Sequence, residues 1–168
     1  MFEYYQAIIT SQYLAAFQTL EHCIDACPEE QWTGKVANHS FSRSAFHALF
    51  FADLYLGDSI QEMKVQPFHQ ENSQYFGDYE ELQATTPTNT YEKGFVGNYL
   101  NFCQSKTTSV LGRETEATLK KQSDIPWQEI SRGELHIYNI RHIQHHAAQL
   151  IMRLRLDTPI DIGWVKSA

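Results

Sequence analysis

The feature that most constrains the fold of this chain is the spacing of its apolar residues, which follow one another in steps of three and four. In the first 27 residues these positions are Phe2, Tyr5, Ile9, Tyr13, Ala16, Phe17, Leu20, Ile24 and Cys27. Such steps place the apolar side chains on one face of an α-helix, and Pro28 ends that helix. No segment shows the two-residue alternation of a β-strand, so the sequence predicts an all-α protein.

Three further helices are predicted, over the approximate ranges 40–56, 91–112 and 131–156. Ser40 or Ser42 can cap the first of these, whose segment FHALFFADLYL (46–56) is apolar almost all round and therefore belongs in the middle of a bundle. The last has the clearest start signal, because Ser131 and Glu134 have the spacing of a capping box. An antiparallel four-helix bundle is the economical fold.

A long, partly ordered crossover is predicted between the second and third helices, over residues 63–89. It contains two prolines, a glycine and scattered aromatic residues. Loops of this length are uncommon unless they cover something, so a lid over a site and a disordered loop both stay open. At 168 residues the chain has the length of one domain, and residues 1–168 are predicted to form it.

The composition argues against several classes of protein. Thirteen basic and 20 acidic residues give a net charge of −7 with no basic stripe, which disfavours nucleic-acid binding. No run approaches the roughly 18 apolar residues that a membrane span needs. The N-terminus lacks the basic flank of a signal peptide, and the three cysteines are an odd number. These features predict reduced thiols and a cytoplasmic protein.

Histidine is the residue type that points to chemistry, with four of the eight lying between His136 and His146. His142 and His146 are four residues apart, so on a helix they share a face and can hold one metal ion. His145 also lies on this side, which leaves the pair 142/145 open. A third ligand must come from another helix, and His47 is the candidate because an imidazole in so apolar a helix needs a polar partner.

Structural roles compete with this interpretation. His47 could hydrogen-bond a buried partner while the histidines of the last helix form a solvated face. Cys23 and Cys27 could form a thiolate site, but their place on the apolar stripe favours core packing. Asp53 and Glu134 could orient ligand imidazoles or simply be solvated.

Other polar residues have weaker claims. His136 is predicted to be a surface or capping residue. His22, His39 and His69 have no companion at ligand spacing. Arg153 could bind an anionic group of a substrate, although a surface ion pair is the expected use.

The segments HALFFADLYL (47–56) and RHIQHHAAQL (141–150) resemble the DinB-like (damage-inducible, YfiT-like) superfamily of metalloenzymes. That family's pattern is a histidine in an apolar second helix and a His-x-x-x-His near the fourth, often followed by Gly-Gln-Leu. This chain has alanine where glycine is common. The resemblance implies a four-helix bundle, a divalent metal held by His47, His142 and His146, and frequently a homodimer.

Three neutral nitrogen ligands with an open coordination position suit zinc or nickel best, and iron or manganese as well. Such a metal activates bound water or holds a thiol substrate as its thiolate. The resemblance adds thiol transfer with low-molecular-weight thiols, besides hydrolytic and isomerase reactions. We therefore expect a metal-dependent transferase (thiol S-transfer) or hydrolase acting on a small molecule, with no general base identified. The alternatives are a non-catalytic metal- or ligand-binding bundle of stress response and a helical bundle without metal.

Overall fold

The computed structural model describes residues 2–84 and 89–168, and these residues are mostly helical. The described helices are α1 (Phe2–Ala26), α2 (Glu29–Trp32), α3 (Phe41–Leu56), α4 (Ile60–Val65), α5 (Pro67–Glu71), α6 (Ser73–Phe76), α7 (Lys93–Arg113), α8 (Glu116–Leu119) and α9 (Arg132–Asp157). Two short strands, β1 (Lys35–Val36) and β2 (His39–Ser40), and a 3-10 helix (Glu80–Leu82) complete them. The all-α class is confirmed. None of the described helices is both long and apolar enough to cross a membrane.

The helix ends agree with the capping signals in the sequence. Pro28 follows the end of α1. Ser40 caps α3 by accepting a hydrogen bond from the backbone N–H of Arg43, and Ser131 caps α9 by accepting one from that of Glu134. Gly112, at which the third predicted helix ends, lies inside the last turn of α7. The sequence therefore places the four long helices to within a few residues.

The β-hairpin was not predicted. Its two strands pair antiparallel, and the turn between them is formed by Ala37 and Asn38, which both have positive φ. A two-residue turn with this backbone conformation matches the twist of a hairpin. Strands of two residues are too short to show alternation, which is why the sequence pattern missed them.

The four long helices pack so that α1 and α3 each contact both α7 and α9. Helix α3 lies among them with all its residues buried except Ser44, His47 and Phe51. These three positions follow one another at steps of three and four, so they form a single less-buried strip along α3. His47 therefore lies at an opening of the core and not in its centre.

Arg132, the first residue of α9, joins that helix to the end of α3. Its guanidinium donates hydrogen bonds of 2.6–3.0 Å to three consecutive backbone carbonyls, which are those of Tyr55, Leu56 and Gly57. These carbonyls belong to the last turn of α3, where the helix itself offers no partner. This contact fixes the position of α9 relative to α3, the two helices that carry the candidate metal ligands.

His136 is fully buried, and its prediction as a surface or capping residue is wrong. Its two ring nitrogens lie 3.2 Å from the hydroxyl of Tyr13 and 3.2 Å from a carboxylate oxygen of Glu114. Burial alone would raise the pKa of Glu114, but hydrogen bonds from His136, Thr118 and Arg132 outweigh it and lower this pKa to about 2. The histidine thus belongs to a structural polar cluster on a different face of α9.

The segment between α3 and α7 is anchored by Asp53, which is fully buried on α3. Its carboxylate accepts hydrogen bonds from Lys106 (2.6 Å), Gln66 (2.7 Å), Tyr99 (2.8 Å) and His69 (2.8 Å). Burial would raise the pKa of Asp53, but the hydrogen bond from His69 and the charge of Lys106 together lower it. Asp53 is therefore neither solvated nor in contact with a candidate metal ligand, so both sequence-based expectations for it are wrong.

The crossover predicted over 63–89 contains α4 to α6 and the 3-10 helix in its described part, so that part is ordered. Residues 85–88 of the predicted crossover lie outside the described residues. The aromatic side chains of the described part of the crossover pack mainly into the core, where Phe68 and Phe76 contact the ring of Tyr99.

Candidate metal centre

His47, His142 and His146 lie together, as the sequence predicted. One ligand atom from each of the three imidazoles lies within 4.8 Å of the other two. Two ring nitrogens bound to one zinc ion at about 2.0–2.1 Å are roughly 3.3 Å apart, so these atoms need to approach one another by at most about 1.5 Å. Rotation of partly exposed side chains covers such a distance, and the three residues could hold one metal ion.

The local structure explains this convergence. His142 and His146 are separated by one turn of α9, and their ring centroids lie 4.6 Å apart. His47 comes from the less-buried strip of α3, and its ring centroid lies 4.7 Å from that of His146. Because α3 and α9 pack directly against each other, the third imidazole meets the pair from the neighbouring helix.

Hydrogen bonds orient two of the three rings. The Nδ1–H of His47 donates to a carboxylate oxygen of Glu81 at 2.6 Å, and that of His146 donates to the side-chain oxygen of Gln149 at 2.9 Å. In the neutral form of each ring, this hydrogen bond leaves Nε2 without a proton and free to bind a metal. A carboxylate behind a ligating imidazole is the usual outer partner in metal sites.

Glu81 is the residue of the candidate site that the sequence pattern did not reveal. It lies in the 3-10 helix of the crossover, 34 positions after His47, and its side chain is only 3% exposed. A buried carboxylate needs a partner, and His47 supplies one. The only signal in the sequence was an acidic pair, Glu80 and Glu81, within a loop that was expected to cover something.

The ring of His142 has no hydrogen-bond partner at one of its nitrogens. Among the described residues, none bonds to the buried Nδ1 of His142. Burial, together with the neighbouring histidines, lowers the pKa of His142 to about 3 and that of His146 to about 4. Both imidazoles are therefore neutral at pH 7, which is the form that binds metal ions. An orphaned ring nitrogen and neutral donors fit a cation at this position.

A cavity of about 400 Å³ opens beside the three histidines. Its walls include the aromatic side chains of Phe51, Tyr55, Trp127 and Tyr138. The crossover contributes Glu81, Leu82 and Gln83 to the lining. The site therefore has room for a small molecule next to the candidate ligands.

The structure favours His146 over His145 as the partner of His142. His145 is exposed, and its Nε2 lies 2.9 Å from the side-chain amide of Gln149. It is not part of the group of three.

Glu134 is also exposed, in the first turn of α9 and eight residues before His142, which is about 12 Å along a helix. Glu134 therefore does not orient a ligand.

The cysteines belong to the core. Cys23 and Cys27 are buried on α1, and burial raises the pKa of the Cys23 thiol to about 12 and that of Cys27 to about 11. Both thiols are therefore protonated at neutral pH, and among the described residues neither belongs to a group of three that could hold a metal ion. The interpretation of these residues as core packing agrees with the structure.

Comparison of the chain with models of known protein families, with curated proteins and with solved structures finds no match. The assignment of a function therefore depends on the geometry of the site.

Proposed function

We propose that the three histidines form a mononuclear metal centre and that the protein is a metal-dependent enzyme, which activates a small thiol or a water molecule for transfer or hydrolysis. The observation that carries the proposal is the convergence of three imidazoles from α3 and α9 beside a cavity of about 400 Å³. Three protein ligands next to open space are the arrangement of a catalytic metal site, whereas structural sites are closed by a fourth protein ligand.

The donor set selects among metals and substrates. Three neutral imidazoles suit zinc or nickel best, and iron or manganese less well. When bound, the ion supplies a Lewis acid that holds a thiol as its thiolate or lowers the pKa of a water molecule to about 7. Glu81 keeps His47 in the tautomer that binds metal, and the rings of Phe51 and Tyr55 pack against that of His142.

We also propose that the four long helices form an antiparallel four-helix bundle of the DinB-like superfamily. The packing of α1 and α3 against both α7 and α9 supports the bundle. The grouping of His47 with His142 and His146 supports the family, because this is the ligand set that the resemblance implies. A low-molecular-weight thiol as substrate and a homodimeric assembly stay predictions of that resemblance.

Elemental analysis of protein purified without an affinity tag tests the metal centre. We expect about one metal ion per chain in the wild type, and none in His47→Ala. His39→Ala is the matched control, since His39 is exposed in the hairpin and lies outside the group of three. Absence of metal from the wild type, even after supplementation of the growth medium, would overturn the metal centre and with it the enzyme.

Turnover distinguishes an enzyme from a metal-binding module. The reaction rates of metal-loaded and metal-stripped protein are compared in two assays. Thiol transfer is measured with cysteine as the thiol and chlorodinitrobenzene as the electrophile, and hydrolysis is measured with nitrophenyl acetate. A rate that requires the metal and is lost in His47→Ala supports the proposal. One bound metal per chain without metal-dependent turnover of either probe would favour the non-catalytic alternative.

A further inference from the structure

A second cavity, of about 680 Å³, lies between the β-hairpin, α3 and α9. His47 and His146 line both this second cavity and the cavity of about 400 Å³ described above. The second cavity therefore reaches the candidate metal centre. Apolar side chains such as those of Val36 and Met152 contribute to its surface. A molecule bound there would have an apolar part and would present one end to the histidines.

Arg43 brings to this cavity a largely buried positive charge whose hydrogen-bond donors are only partly satisfied. Its side chain is only 10% exposed, yet its Nε and Nη1 are buried without a hydrogen-bond partner among the described residues. Glu81 is its ion-pair partner, but the Nε of Arg43 lies 3.9 Å from the carboxylate oxygen, which is too long for a hydrogen bond. Within the described part of the chain, the Oε1 of Glu81 is buried without a hydrogen-bond partner as well, so Nε and this oxygen face each other across 3.9 Å. Buried donors are normally paired, and the Nη1 of Arg43 is the donor that points to a missing acceptor.

Arg153 adds a second guanidinium to the same cavity. Its two terminal nitrogens donate to the backbone carbonyls of His39 (3.2 Å) and Gly34 (2.9 Å), which holds the side chain against the hairpin. Its Nε is buried without a partner among the described residues. This arrangement replaces the surface ion pair expected from the sequence.

The charge around the cavity is opposite to that of the whole chain. The chain has a net charge of −7, but none of the described residues that line the cavity is acidic. Glu81, which lies outside the lining, offsets part of the charge of Arg43, and the remaining positive charge of the two arginines favours an anionic ligand. The planar fork of a guanidinium matches the two oxygens of a carboxylate.

We propose that this cavity binds the carboxylate of an amphipathic organic acid, with Arg43 as its main anchor and Arg153 beside it. The assignment of this acid as the substrate rests on the proposed function, because the cavity borders His47 and His146 and would hold the other end of the molecule at the metal centre. Binding of the acid itself does not require the metal.

The test uses hexanoate as the probe and hexanamide as its uncharged counterpart, on full-length protein stripped of metal with a chelating resin. Titration is followed by the side-chain Nε–Hε signals of the arginines in nitrogen–proton correlation spectra. We expect hexanoate, and not hexanamide, to shift the signal of Arg43 to saturation. The proposal would be overturned if hexanoate did not shift the Arg43 signal, or if both probes shifted it equally. This test needs only the wild-type protein.

Variants then identify the anchor by calorimetry. Arg43→Met keeps the length of the side chain and removes its charge, and we expect hexanoate to bind at least about tenfold more weakly. Arg141→Met is the matched control, because Arg141 is exposed on α9 and does not line this cavity. Wild-type affinity in Arg43→Met would overturn the proposal and leave Arg43 as a counter-ion of Glu81.

The two proposals fail separately. Hexanoate binding to protein that takes up no metal would refute the metal centre and leave the anion site standing. One metal ion per chain without hexanoate binding at Arg43 would refute the anion site alone.

Discussion

Replacing Glu81 with glutamine removes the negative charge behind His47 while it keeps the size of the side chain. The carboxylate accepts the Nδ1–H of His47 at 2.6 Å, and water screens this hydrogen bond only from the side of His47, because the side chain of His47 is 32% exposed and that of Glu81 is 3% exposed. A charged acceptor at this distance stabilises the tautomer with a free Nε2 and makes that nitrogen a better ligand. We therefore expect Glu81→Gln to weaken metal binding.

The size of the effect follows from the type of bond that is lost. Removal of an outer partner of a metal-binding imidazole typically lowers metal affinity about 10- to 100-fold. The glutamine oxygen can still accept the Nδ1–H of His47, so a weaker neutral hydrogen bond remains. We expect a loss near the middle of this range, about 30-fold, which corresponds to about 2 kcal/mol of binding free energy.

Competition between the protein and a chromophoric chelator for zinc at neutral pH measures this change. Glu71→Gln is the matched control, because Glu71 is an exposed carboxylate of the same segment, and its affinity for zinc should equal that of the wild type. The midpoint of thermal unfolding of metal-free Glu81→Gln should also fall, because Arg43, whose side chain is 10% exposed, loses its charged partner. Zinc affinity is therefore compared at a temperature at which both proteins are folded. Unchanged zinc affinity in Glu81→Gln, or an equal loss in Glu71→Gln, would refute the reasoning.

Three further predictions concern the ligands and the buried charges. Zinc titration should show no tight site in His146→Ala and wild-type affinity in His145→Ala; the reverse order would mean that the ligand pair is 142/145. Urea unfolding should show that Glu114→Gln is less stable than the wild type at pH 7. This difference should shrink as pH falls below about 4.5 towards 2, because the contribution of a carboxylate whose pKa is lowered to about 2 on folding is lost in that range. A difference that is independent of pH would contradict the assigned role. Asp53→Ala should cost about 3–5 kcal/mol of unfolding free energy, because Lys106 then keeps a largely buried charge without its carboxylate. Replacement of both residues by apolar ones should recover part of this loss, and a cost below about 1 kcal/mol would contradict the prediction.

The long helices could be predicted because the information that specifies them is local. Apolar spacing marks the buried face of α1, Pro28 ends it, and Ser131 starts α9. The same local spacing places His142 and His146 on one face of α9. His47 required a different argument, namely that a polar ring in so apolar a helix needs a partner, and the structure shows this ring at the less-buried strip of α3.

The buried polar residues could not be predicted because their partners are distant in the sequence. His136 bonds to Tyr13 and Glu114, which are 123 and 22 positions away. Asp53 bonds to Lys106, 53 positions away on α7. Nothing in the residues around such a side chain distinguishes a buried pair from a solvated one, and only the packing of the helices decides.

Glu81 shows how the candidate metal ligands depend on the buried polar residues. The segment that carries it is held by the buried cluster, since His69 bonds both to Asp53 and to the hydroxyl of Tyr79, which lies two positions before Glu81. Tyr79 also has a positive φ of 48°, a conformation that a non-glycine residue adopts only when its surroundings impose it. The carboxylate that orients His47 is thus positioned by a polar cluster in the core and not by its own short helix. Local spacing is enough to place the histidines, but the outer partner of His47 requires the complete fold.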